Sequence, residues 1–178
     1  MTRRDFLAFA AASALPGALP AAEATTPLTL DWAYVADTVM GGVSTGRITH
    51  ETLAGTRASR LTGAVSTENK GGFIQIAADL PPDVDPAAWS GLEVDVIGNG
   101  ETYDLRLRTT ALTRPWQSYR LAFAAPSDWG TLRAPWSAFE ANRTRAPFDP
   151  AELRRIGVLA VGREFEADVA VGGVRLWR

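Results

Sequence analysis

Apolar residues in this chain recur at every second position, in short runs that glycine and proline cut apart. Leu92, Val94 and Val96 alternate with Glu93 and Asp95, and Tyr103, Leu105 and Leu107 alternate with Asp104, Arg106 and Arg108. Tyr119, Leu121 and Phe123 alternate in the same way around Arg120. A period of two puts one set of side chains on each face of an extended strand, so each run buries one face and leaves the other in water. Most of the 16 glycines and 11 prolines fall between the runs, where turns need them.

The same reading predicts strands over Thr29–Val35, Gly46–His50, Ala58–Val65, Phe73–Leu80 and Trp129–Pro135. Ile156–Val161 is almost wholly apolar and reads as a strand covered on both faces. In Ala167–Trp177 the parity changes, with Val169 and Val171 on one phase and Val174 and Leu176 on the other, which predicts a β-bulge at Gly172-Gly173. Gly98-Asn99-Gly100 reads as a hairpin turn, which would let Asp95 face Arg106 and Glu93 face Arg108. Helix is confined to single turns near Pro86–Trp89 and after the Asp149-Pro150 cap. About ten short strands with almost no helix make an all-β fold, a single antiparallel β-sandwich over residues 25–178.

Residues 1–24 read as an address. Arg3-Arg4-Asp5-Phe6-Leu7 resembles a twin-arginine export signal, and the apolar run to Leu19 is shorter than the roughly 20 residues of a membrane span. Ala22-Glu23-Ala24 supplies a small-x-small cleavage pattern, so the mature chain is expected to begin near Thr25 and to work in the periplasm, with no transmembrane span. The chain has no cysteine, which excludes disulfides, thiolate nucleophiles and thiolate metal sites. Its net charge of −2 is unchanged by loss of Arg3, Arg4, Asp5 and Glu23, and offers no electrostatic footprint for nucleic acid.

Chemistry is sparse. The single histidine, His50, reads as a strand-end surface residue, and no Gly-x-Ser-x-Gly elbow or phosphate-cradling loop occurs. No catalytic residue, metal or cofactor is expected. Arg106, Arg108 and Arg120 share the outward parity of two runs, with Trp116 nearby, and fit two readings: the solvated side of a sandwich, or a shallow ligand face. Trp116, Trp129 and Trp136 likewise fit either stacking platforms or caps on the core.

Two glycine corners stand out, Asp37-Thr38-Val39-Met40-Gly41-Gly42-Val43-Ser44 and Glu68-Asn69-Lys70-Gly71-Gly72-Phe73. Asp37, Ser44 and Asn69 read as side chains that hydrogen-bond the local backbone, with Met40 tucked in as an apolar plug and Gly42 at positive φ.

With Trp32 ahead of them, and Gly63-x-Val65-Ser66, Gly98-Asn99-Gly100-x-x-Tyr103 and Trp116-x-x-Tyr119-x-x-x-Phe123 around and after them, these corners resemble the complex I intermediate-associated protein family over nearly the whole mature chain. Lys70 stands where a second asparagine is usual, and Asn99 where aspartate is usual. The resemblance implies a galactose-binding-like jelly roll and a non-enzymatic, chaperone-like role on unassembled protein of respiratory complex I. The family's mitochondrial members act in the matrix, whereas the export signal sends this chain to the other side of the membrane, where a membrane-arm subunit is still within reach. A cell-envelope carbohydrate-binding module is the alternative that the jelly roll implies.

Overall fold

The computed structural model describes residues 23–178, so the segment read above as an export signal lies, but for its last two residues, outside the described range. The strands are β1 (Thr25–Leu28), β2 (Ala33–Ala36), β3 (Thr45–Leu53), β4 (Thr56–Val65), β5 (Phe73–Asp79) and β6 (Gly91–Gly98), followed by β7 (Thr102–Thr109), β8 (Ser118–Ala124), β9 (Gly130–Pro135), β10 (Glu140–Asn142), β11 (Leu153–Val161) and β12 (Phe165–Trp177). They form two six-stranded sheets. The first runs β3-β4-β12-β6-β9 with β1 also on β12; the second runs β10-β8-β7-β11-β5-β2. All pairings are antiparallel, and the only helical elements among the described residues are short 3-10 turns. The all-β sandwich is as the alternation predicts.

The core lies between the sheets. Leu61, Leu92, Val94, Val169 and Leu176 from the first sheet meet Ile74, Ile76, Leu105, Leu107, Ile156 and Val158 from the second, all fully buried. β11 is covered on both faces as expected, with Leu159 buried on the side away from the core. β12 is the central strand of the first sheet, and its register slips between Val171 and Val174, where the bulge was expected.

Two connections differ from the sequence reading. Thr29–Val35 is not one strand: β1 pairs with β12, β2 pairs with β5, and the segment between them crosses from one sheet to the other, burying Trp32 on the way. Gly98-Asn99-Gly100 is likewise a corner between sheets rather than a hairpin. β6 pairs with β12 and β9, while β7 pairs with β8 and β11. The alternation is the same in either arrangement, because both strands point their apolar faces into one core. Glu93 and Asp95 therefore meet Arg175 of β12, at 2.7 Å each, instead of Arg108 and Arg106.

Aromatics fasten the ends of the sandwich. Trp136 packs against the core as a cap, with Nε1 donating to the Trp89 carbonyl at 2.7 Å, and Trp129, half-buried, donates Nε1 to the Leu53 carbonyl at 3.0 Å. Tyr119 is buried against Phe148 in an edge-to-face contact, and its hydroxyl donates to the carbonyls of Ala146 and Pro147.

Candidate functional site

The first glycine corner is a 3-10 turn, Asp37–Met40, that ends at Gly41 with φ of 88°. The second is a 3-10 turn, Glu68–Lys70, in which Asn69 and Lys70 are left-handed, at φ of 53° and 60°. One side chain joins them. Asp37 is fully buried, and its carboxylate accepts hydrogen bonds from the Ser44 hydroxyl (2.5 Å) and the amides of Gly72 (2.6 Å), Ser44 (3.1 Å) and Phe73 (3.2 Å). The Ser44 hydroxyl in turn accepts from the Ser66 amide at 2.9 Å. Burial pushes the Asp37 carboxyl up, but the Gly72 amide, the Ser44 hydroxyl and the Phe73 and Ser44 amides outweigh it and hold its pKa below the ordinary carboxylate range. Asp37 therefore works across the two corners, not only within its own turn.

The glycines make room for this carboxylate. A Cβ on Gly42 or Gly71 would overlap the Asp37 side chain, although neither residue has positive φ. The positive φ expected at Gly42 belongs to Gly41, whose missing Cβ faces open space. Gly42→Ala is thus expected to cost more than Gly41→Ala, by displacing Asp37 rather than by straining φ. Equal melting temperatures for the two variants would contradict this. Asn69 contributes its left-handed backbone, a conformation asparagine tolerates better than most residues.

Met40 is no plug. It is 62% exposed, and its neighbours Val39 and Val43 are 73% and 41% exposed. Among the described residues the only other large apolar side chain this open is Trp116, at 49%. The Asp37 turn therefore carries an apolar tip held out into solvent on a base stitched by buried hydrogen bonds.

The arginines do share a face, the outer side of the second sheet, where Arg106 and Arg120 are direct partners across β7 and β8. They are not free cations. Arg106 and Arg120 reach the Asp104 carboxylate at 3.0 and 3.3 Å and cover it, leaving Asp104 buried. Removing both would strand a buried carboxylate, so the pair holds the sheet as well as facing outward. Arg108 stands apart, with Nη2 donating to the Arg114 carbonyl at 2.9 Å and a buried Nε that has no partner. Trp116 lies in the turn closed by the Gln117 amide on the Arg114 carbonyl.

His50 sits within β3, which runs on to Leu53, rather than at a strand end. It is exposed, its Nδ1 is 3.1 Å from the Ser59 hydroxyl, and it lines a cleft of about 450 Å³ with Trp32, Arg57 and Val171.

The fold is shared with solved carbohydrate-binding modules. The family 11 module of a cellulosomal cellulase of Clostridium thermocellum superposes with a TM-score of 0.68 at 13% identity, covering 83% of this chain and 88% of that one. The same module in complex with a β-1,3-1,4-mixed-linked tetrasaccharide gives 0.68 at 14% identity, covering 85% and 94%. The family 30 module of another cellulosomal cellulase from that organism gives 0.54 at 15% identity, covering 85% and 92%. These identities establish a common fold only. No curated protein matches the chain by sequence. The family model described as complex I intermediate-associated protein 30 matches residues 23–170. That span holds both glycine corners, the Asp37 tie between them and both sheets up to Ala170 of β12, and by it the chain belongs to the complex I intermediate-associated protein 30 family.

Proposed function

We propose that this protein is a non-catalytic, exported binding module that docks onto unassembled protein through the Val39–Met40–Val43 tip, in the manner its family description suggests. The observation that carries this reading is the tip itself: three apolar side chains within five residues, held in water beside a base fastened by buried hydrogen bonds. An exposed apolar cluster costs solubility and marks a surface that a partner covers. A flexible loop would lose entropy on docking, whereas a turn fastened to a buried carboxylate is already ordered. The fitting partner offers an apolar socket, and export by the twin-arginine route places that partner in the periplasm or on the outer face of a membrane-complex subunit.

The test is capture from a solubilised cell envelope by the immobilised mature protein. Val39→Asp with Met40→Asp is expected to abolish capture of the partner without lowering the melting temperature, since both side chains already stand in water. Capture of the same proteins by the double variant would overturn the reading.

A second reading, glycan binding, is favoured by one separate observation. The outer face of the second sheet is polar and arginine-lined, with Trp116 exposed beside it.

A further inference from the structure

Among the described residues, Arg108 is a cation with no carboxylate to balance it. It projects from β7 on the outer face of the second sheet, opposite Arg155 of β11. Arg155 is answered by Asp79, with hydrogen bonds of 2.7 and 3.0 Å. Arg106 and Arg120 are answered by Asp104. Arg108 has no ion pair among the described residues; one nitrogen donates to a neutral carbonyl, and Nε is buried with no acceptor at all. Burial, then the charges of Arg154 and Arg155, depress its pKa. A buried guanidinium donor without an acceptor is costly, and arginine's fork is shaped to take an oxyanion.

The neighbouring turn supplies the second element. The Arg114 carbonyl takes both the Arg108 hydrogen bond and the Gln117 amide, and the Arg114 amide donates to the Gln117 side chain at 3.0 Å. This fixes the turn that carries the exposed ring of Trp116. An exposed aromatic ring on the turn that Arg108 holds, together with a guanidinium lacking a carboxylate, suits a ring that stacks and a charge that pairs, which is the chemistry of an acidic sugar. An acidic peptide would satisfy Arg108 but would have no use for a lone aromatic plane on a polar sheet face.

We infer that Arg108 and Trp116 form a binding site for an acidic saccharide, whose carboxylate or sulfate meets the terminal nitrogens of Arg108, the buried Nε staying out of its reach, while a sugar ring lies on Trp116. The site is at the end of the second sheet away from the apolar tip, about six residues along β5 from Phe73 to Asp79, or roughly 20 Å. It stands independently of the docking tip, and loss of either leaves the other untouched.

The test is affinity electrophoresis of the mature protein in gels containing polygalacturonate, dextran sulfate, neutral mixed-linkage β-glucan or polyglutamate. Retardation is expected with one or both acidic polysaccharides, weakening as salt rises, and the two arms separate carboxylate from sulfate. Arg108→Met and Trp116→Ala are each expected to weaken it about ten-fold or more. Arg108→Lys is expected to fail as well, because it keeps the charge but not the fork. Arg108→Met should melt close to the wild type, since the loss of its one hydrogen bond to the Arg114 carbonyl is offset by removal of a buried donor that has no acceptor. A clear fall in its melting temperature would show that the protein itself satisfies Arg108 and would overturn the inference. So would equal retardation by the neutral glucan or by polyglutamate, or none by either acidic polysaccharide.

Discussion

Asp37→Ala is expected to lose about 4 kcal/mol of folding stability and roughly 10 °C of melting temperature. Four donors converge on this carboxylate: the amides of Ser44, Gly72 and Phe73 and the Ser44 hydroxyl. Hydrogen bonds to a charged group are worth about 1.5–3 kcal/mol each, and a buried donor left without an acceptor costs about 1–3 kcal/mol. Water entering the vacated space would return part of the loss, which keeps the total below the sum of four. The same carboxylate makes the fold sensitive to acid. Its folded pKa lies below the ordinary 3.8, so its contribution is complete above that value and disappears as pH falls through the folded pKa. Asp79 and Asp95 are displaced in the same direction, so the wild type is expected to lose stability as pH falls below 3.8, and Asp37→Ala to lose less over the same range. A change under 1 kcal/mol at neutral pH would contradict the account of the corners.

The second large effect lies at the other end of the sandwich. Tyr119→Ala removes a ring that is almost wholly buried, an edge-to-face contact with Phe148 at 5.0 Å, and both hydrogen bonds to the Ala146-Pro147 carbonyls. Phe148 also packs on Trp136 and Phe139, so the loop before the Pro150 turn loses its anchor along with the cluster. Large aromatic-to-alanine changes in cores cost about 3–5 kcal/mol, which predicts a fall in Tm of roughly 10 °C in thermal unfolding. Tyr119→Phe keeps the ring and is expected to cost about 1 kcal/mol. Equal losses in the two variants would show that the hydroxyl, and not the packing, holds this end together.

How much of this was legible in the sequence depends on the range of each interaction. Strands follow from local alternation, so Leu92–Val96, Tyr103–Leu107, Tyr119–Phe123 and the slip at Gly172-Gly173 could be read directly. Which strands pair could not. Leu92–Val96 and Tyr103–Leu107 face each other across the core, and their alternation is the same as that of a hairpin. The true partner of Glu93 and Asp95, Arg175, lies some 80 residues further on. The crossing at Thr29–Trp32 was hidden for the same reason, since Leu30 and Trp32 keep strand parity while the chain changes sheets.

In the site, the glycine corners were visible as motifs but their connection was not. Asp37 meets Gly72 and Phe73 across 35 and 36 residues, and nothing in one sequence ties those positions together. Met40 was misplaced because an apolar residue in a tight turn reads as filler, whereas its exposure depends on what the turn rests against. Arg108 could be placed on a face by parity. Its lack of a carboxylate, against the Asp104 and Asp79 that answer its neighbours, follows only from the pairing of β7 with β8 and β11.

The central claim, that the apolar tip is where this protein meets its partner, is tested most directly by photo-crosslinking in cells. A photoreactive phenylalanine analogue is placed at Met40 and, in a second strain, at Gln75 on the outer face of the second sheet. The account predicts a protein adduct from position 40 and none from position 75. An adduct from position 75 alone would contradict it and move the binding surface to the sheet.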